Sequence, residues 1–158
     1  MRTNDSAVDS SMEELPDPRD NHVLAYLFER DRQRWEPHLE PFEVTMGDVL
    51  YDEHNHSEYL YFPITASVSL IYTLNDGAST EIAAIGNQGV AGIGLLVGGA
   101  ITPSRAVVRN GGTCYRLKAQ VMRGELNHCG PSLDVILRCT QALIAQMAHN
   151  IGRLLPAA

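Results

Sequence analysis

The sequence predicts a mainly β (α+β) fold: a roll or sandwich of short strands, entered by short helices and closed by one long C-terminal helix. Three observations predict it. Apolar and polar residues alternate through Phe42–Thr45, Val49–Tyr51, Tyr59–Ile64, Val68–Leu74, Thr80–Ile85, Arg105–Arg109 and Thr113–Leu117. Period-two runs cut by turns every ~8 to 12 residues mark an all-β layered structure. Asn75-Asp76-Gly77 lies between two of those runs, and Asp-Gly tolerates the positive φ values of a tight hairpin. Beyond Gly130-Pro131 the period changes: Leu133, Leu137, Thr140, Ile144, Met147, Ile151 and Leu154 step alternately by four and three residues, the heptad spacing of a helix with an apolar seam.

Taken in order, residues 1–20 (MRTNDSAVDSSMEELPDPRD) are rich in Ser, Asp, Glu and Pro and nearly free of large apolar side chains. Burial there cannot offset the entropy of ordering, so a disordered tail is expected. Asn21 stands as N-cap ahead of Val23, Leu24, Leu27 and Phe28, the spacing of a short amphipathic helix. A second helical stretch, Asp31–Trp35, stops near Pro37, because proline disfavours helical geometry in the residue before it. Met46-Gly47-Asp48 makes a turn, Gly89–Gly99 interrupts the strands, and Asn110-Gly111-Gly112 reads as a second hairpin. Ala119–His128 forms a short helix that Gly130-Pro131 ends, and Ser132 is placed to cap a long one reaching Leu155. The expected organisation is a tail over 1–20, a β-roll over 21–130 and a C-terminal helix over 131–158.

Ile136 and Leu143 add a second apolar stripe beside the heptad seam of that helix. Two stripes ask for two partners, the roll and a second copy of the chain, so a parallel homodimer through the helix is expected.

A chain of 158 residues suits one domain, large enough to bury roughly 70% of its unfolded surface. Its net charge of −7 argues against binding DNA, RNA or an anionic membrane through a broad basic surface. The first residues hold no apolar signal core, and the weakly polar stretch Gly89–Ile101 is too short and glycine-rich to span a bilayer, so a cytoplasmic protein is expected. Cys114, Cys129 and Cys139 are odd in number and lack C-x-x-C spacing, which supports neither a disulfide framework nor a structural metal site.

The ordered words Tyr61-Phe62-Pro63-Ile64, Val68-Ser69-Leu70, Asp76-Gly77, Glu81 and Ile85-Gly86-Asn87-Gln88-Gly89-Val90-Ala91-Gly92 resemble the cyclic-nucleotide-binding-like sensor domain of Crp/Fnr-type transcription regulators. The resemblance covers residues 21 to 155. It implies a jelly-roll-like β-roll (a double-stranded β-helix), a phosphate-binding cassette between two strands, and a long C-helix through which subunits pair. The cassette would be the segment Gly89 to Gly99, with Gly89, Gly92, Ile93, Gly94 and Leu95 meeting the ligand. Glycine-rich turns there would leave backbone N–H groups free for an anion.

Cyclic-nucleotide binders of this family use a Gly-Glu-Leu word and an Arg-Ser/Thr-Ala word. Here Gly92-Ile93-Gly94 puts isoleucine at the glutamate position, and Ser104-Arg105-Ala106 reverses the second word. A lost ribose acceptor weakens binding by about 1 to 3 kcal/mol, so no cofactor is certain. The expected effector is a cyclic nucleotide or, in preference, another small anion, with Arg105 pairing it, Ser104 a secondary donor and Ala106 beside them. The family continues into a helix-turn-helix domain, whereas this sequence runs out at Asn150–Ala158. The chain is therefore expected to act in transcriptional regulation without binding DNA directly, as a homodimer or as a heterodimer with a full-length relative.

A metal-dependent enzyme of the cupin type is the alternative. His54 and His56 would share one face of a strand, a spacing that suits chelation. Glu58 comes too early for the cupin motif, and no histidine lies between His56 and His128. No Ser-His-Asp, Cys-His or paired-carboxylate arrangement can be argued from spacing, so the sequence nominates no catalytic residue and predicts a non-enzyme.

Overall fold

Defined structure starts earlier than composition suggests. The computed structural model describes residues 14–53, 58–96, 104–128 and 130–154, with the backbone alone at 151, 153 and 154. Residues 1–13 of the expected tail lie outside the described residues, but its end is placed against the roll. The Asp17 carboxylate accepts from the Arg19 N–H at 2.9 Å and caps a 3-10 turn, Pro18–Asp20, while the Tyr115 hydroxyl donates to the Pro16 carbonyl at 2.6 Å. Capping and one long-range hydrogen bond do what apolar burial could not.

Helix α1 spans His22–Trp35 and is kinked at Asp31, whose φ of −158° and ψ of 78° are not helical. The two helical stretches expected from the sequence are thus one element with a break. Val23, Leu24, Leu27, Phe28 and Trp35 are buried along it, and a 3-10 turn containing Pro37, Glu36–His38, ends it.

Seven strands follow: β1 Glu40–Val44, β2 Val49–Tyr51, β3 Tyr59–Pro63, β4 Ser67–Thr73, β5 Ser79–Ile85, β6 Ser104–Asn110 and β7 Gly112–Lys118. They form two antiparallel sheets, ordered β1-β7-β3 and β2-β6-β4-β5. Alternation along β3 shows how the layers stack. Leu60 and Phe62 belong to one apolar cluster with Leu24, Leu27 and Phe28 of α1, whereas Tyr61 between them joins Val68, Leu70, Ala83 and Ala106 in the roll interior. A third cluster, Val44, Ala66, Val108 and Cys114, fills the other end between the sheets.

Asn75-Asp76-Gly77 is the hairpin expected: β4 pairs with β5, and Gly77 has φ +85°. Asn110-Gly111-Gly112 is not. β6 and β7 lie in different sheets, so this segment crosses between layers. Its glycines serve close approach instead. A Cβ at Gly112 would lie 2.5 Å from Thr65 Oγ1, 2.8 Å from the Thr65 carbonyl carbon and 2.9 Å from the Ala66 nitrogen, and one at Gly111 would lie 3.0 Å from the Val44 carbonyl oxygen.

Helix α2 covers Ala119–Leu126 and α3 covers Pro131–Leu154. Helix α3 begins one residue before the expected cap. The Gly130 carbonyl accepts from the Leu133 and Asp134 N–H groups, which puts Pro131 at the first helical position, where its missing N–H is harmless, and Ser132 in the first turn, buried. Among the described residues no helix is long and apolar enough to cross a membrane.

Two predictions follow from this packing. Gly112→Ala drives a methyl into backbone and should destabilise by about 1 to 3 kcal/mol. Gly124→Ala, in open space inside α2, should stabilise by about 0.5 to 1 kcal/mol; equal urea midpoints for the two variants would contradict this account. Burial also raises the Tyr51 hydroxyl from 10.0 to about 12 and the Cys114 thiol from 9.0 to about 11. The fold keeps protons that the unfolded chain releases, so this stabilisation is whole below pH 9 and is lost as pH climbs through 11 to 12. Urea unfolding followed across that range should show a steep alkaline loss, about 2 to 3 kcal/mol of it removed in Tyr51→Phe. An unchanged alkaline slope in the variant would contradict it.

Candidate ligand-binding site

A break in the alternation of β5 opens the site. Leu70 pairs with Ala83 and Ile71 with Glu81, leaving Ile82 as an extra residue, a β-bulge. The bulge lets adjacent residues both face inward: Ala83 is fully buried in the roll interior, while Ile82 lines a cavity of about 570 Å³. Thr80 and Ile85 of β5, Leu70 and Tyr72 of β4, Tyr51 of β2 and Ser104 of β6 form its sheet walls. The segment Val90–Gly94 forms another side, and Leu143 and Met147 of α3 close it. Among the described residues that line it, none is charged. The polar side chains are hydroxyls, those of Tyr51, Tyr72, Thr80 and Ser104.

The cassette segment is fixed against β3. Ala91 and Tyr61 exchange backbone hydrogen bonds of 2.9 and 3.0 Å, and Gly92 follows at φ +104°, where a Cβ would sit 3.2 Å from the Tyr59 carbonyl oxygen. Ile93 begins a single 3-10 turn, Ile93–Leu96, and is buried. Upstream, the Asn21 side chain accepts from the Val23 and Leu24 N–H groups and donates to the carbonyls of Pro63 at 2.9 Å and Gly89 at 3.0 Å.

The structure brings Gly92, Ile93, Gly94 and Ser104 to the cavity. Gly89 instead lines an adjoining cavity of about 370 Å³ against Cys139, Ala142 and Gln146 of α3. Leu95 packs half-buried on the cluster beneath α1, and Ala106 is fully buried in the roll interior. Arg105 corrects the sequence reading: it is exposed on β6 between the buried Ser104 and Ala106, so strand alternation turns it to the outer face. Of the amides in this segment, those of Gly89, Ala91 and Leu95 donate to the Gly86, Tyr61 and Gly92 carbonyls. Val97, Gly98 and Gly99 lie outside the described residues.

Sequence reasoning missed Tyr51, Tyr72, Thr80 and Ile82 as cavity residues. The signal for the bulge was present in Ile82-Ala83-Ala84-Ile85, an unbroken small-and-apolar run where alternation should have put a polar residue.

Helix α3 divides its apolar residues between two directions. Val135 and Ile136 are buried beside α1, Leu143 and Met147 face the cavity, and Asn150 Nδ2 donates to the Ile82 carbonyl at 2.9 Å. Along the expected seam Leu133 and Thr140 are half-buried, whereas Leu137 is 59% and Ile144 61% exposed. Met147 therefore leaves the seam for the roll; the side chains of Ile151 and Leu154 lie outside the described residues. So do His54 and His56 of the metal-enzyme alternative. Among the described residues no group of three or more His, Cys, Asp or Glu side chains is placed to hold a metal ion.

No family model and no curated protein matches the sequence. Solved structures do match the fold. The regulatory subunit of a cAMP-independent protein kinase A from Trypanosoma brucei, a mutant bound to cAMP in its A site, aligns with a TM-score of 0.69 at 17% identity over 87% of this chain. This chain spans 49% of that one, about half its length. A cyclic nucleotide-binding domain from Methylobacillus flagellatus aligns with a TM-score of 0.65 at 14% identity, over 87% of this chain and 75% of that one. The N-terminal domain of a transcriptional regulator from Streptomyces coelicolor aligns with a TM-score of 0.58 at 18% identity, over 89% of this chain and 96% of that one. With two facing sheets, a glycine-rich segment laid against β3 and a long closing helix, the chain has the fold of cyclic-nucleotide-binding domains, which the N-terminal domain of that transcriptional regulator shares.

Proposed function

We propose that the chain is a ligand-sensing regulatory domain acting in transcriptional control, in which a small molecule in the larger cavity biases the packing of α3 and α3 passes that bias to a second subunit. One observation carries the reading: Leu143 and Met147 of α3 close the cavity while Leu137 and Ile144 of the same helix stand in solvent. An apolar stripe at heptad spacing is suited to pairing with its own copy. The homodimer would use Leu133, Leu137, Thr140 and Ile144, with the helix continuing through Ile151 and Leu154. A longer relative carrying the same stripe is the natural heterodimer partner. A ligand shifts such an equilibrium only by its difference in affinity for the two packings.

The net charge of −7 fits action through a partner rather than direct contact with phosphates. Anisotropy titrations of labelled duplex DNA at physiological salt should show no saturable binding by the purified chain; specific, salt-resistant binding would contradict this part of the proposal. Light scattering should give a dimer mass at tens of micromolar, and Ile144→Asp, which places a charge in the stripe, should give a monomer with an unchanged circular dichroism spectrum. A monomeric wild-type protein would sink the pairing proposal.

A further inference from the structure

We infer that the cavity takes a neutral, largely apolar small molecule carrying one hydroxyl or carbonyl group, and not a cyclic nucleotide or another anion. The inference rests on the ligand-sensing reading and names its ligand class. The volume, about 570 Å³, falls within the range of small-molecule sites, about 300 to 1,000 Å³. Its walls at Leu70, Ile82, Ile85, Val90, Leu143 and Met147 are hydrocarbon or thioether. An anion taken into such a space without a cation partner loses hydration that a few uncharged hydroxyls do not replace.

Among the described residues, no cationic side chain lines the cavity. Arg105, the side chain expected to pair an anion, faces outward from β6. Arg123 reaches toward the segment only from outside, where its guanidinium donates to the Leu95 carbonyl at 3.1 Å and is exposed. Burial keeps the Tyr51 hydroxyl neutral.

The rim points the same way. Tyr72 and Leu74, which line the cavity, are 36% and 43% exposed, so apolar surface continues from the cavity to solvent. Ser104 and Thr80 supply uncharged polar contact within the lining, enough for a single hydroxyl or carbonyl. Met147, unbranched and polarisable, suits a wall that adapts to hydrocarbon of varied shape.

The test compares 1-decanol, decanoate and cyclic AMP by isothermal titration calorimetry on the full chain, since the first two differ in charge and not in chain length. Decanol should bind saturably at one per chain, decanoate at least about tenfold more weakly, and cyclic AMP not at all. Leu74→Arg, at the exposed rim, should keep the wild-type melting temperature and raise decanoate affinity by about tenfold. Ile82→Trp, which fills the cavity, should weaken decanol by a similar factor. Binding of cyclic AMP or decanoate to the wild type as tightly as decanol overturns the inference. So does an absence of decanol binding, or decanoate affinity unmoved by Leu74→Arg. The sensing reading is read separately: decanol that binds as expected but leaves the light-scattering mass and its concentration dependence unchanged sinks the reading and leaves the ligand class standing.

Discussion

The side chain of Asn21 is fully buried, and every part of its amide is used. Its oxygen accepts from the Val23 and Leu24 N–H groups at 3.0 and 3.2 Å, and its nitrogen donates to the carbonyls of Pro63 and Gly89. One residue thereby starts α1, holds the end of β3 and fixes the turn from which the cavity segment departs. The neighbouring His22 N–H adds a bond of 2.8 Å to the Asn87 carbonyl. Buried backbone groups are costly to leave unpaired, so these three elements can pack together only if something supplies two acceptor contacts and two donors at one point. An aspartate lacks the donors and a serine the reach. The position of Val90–Gly94, and hence of the cavity wall, follows from that bond set.

Much of this fold was legible because strands advertise themselves locally. Each of the seven strands falls on a turn-bounded run rich in strand-forming residues, and Asp76-Gly77 marks its hairpin. The misreadings share one cause: the deciding partner lay far away in sequence. Gly111-Gly112 looks like a turn whether it folds the chain back or lets Thr65 pass 2.5 Å from a missing Cβ. Residues 14–20 look like tail because what holds them includes the hydroxyl of Tyr115, about a hundred positions away. At the cavity, the location of Gly92, Ile93, Gly94 and Ser104 was legible, but the face presented by Arg105 was not. A strand's side chains change face with every residue, and once Ser104 points inward Arg105 points out. The bulge at Ile82 then alters which β5 residues meet the cavity, an outcome that depends on pairing with β4.

Helix α3 shows the same limit in another form. The three-four spacing that predicts an apolar seam is intrinsic to the helix, yet the roll decides which part of the seam it covers. Met147 belongs to the seam by spacing and to the cavity by contact, while Leu137 and Ile144 have no such contact and stay in solvent. The surface complementary to a helix is not written in the helix, so pattern gives the stripe and tertiary structure divides it.

That division also constrains how a sensor of this kind could work. Leu143 and Ile144 are consecutive, so on a helix their side chains diverge by about 100°, one toward the cavity and one toward solvent. A ligand that presses on Leu143 and Met147 cannot turn the helix under them without moving Ile144, whereas a ligand seated only among the strands leaves α3 where it was. The Asn150 bond to the Ile82 carbonyl ties the far end of the same stretch to the bulge, so a change in the cavity meets α3 at two points about a turn apart. The free energy available to the stripe is the ligand's preference between two packings of that short stretch, about 1.4 kcal/mol for each tenfold difference in affinity. A domain whose effect is confined to such a preference depends on ligand contacts with α3 more than on how tightly the sheets hold the ligand.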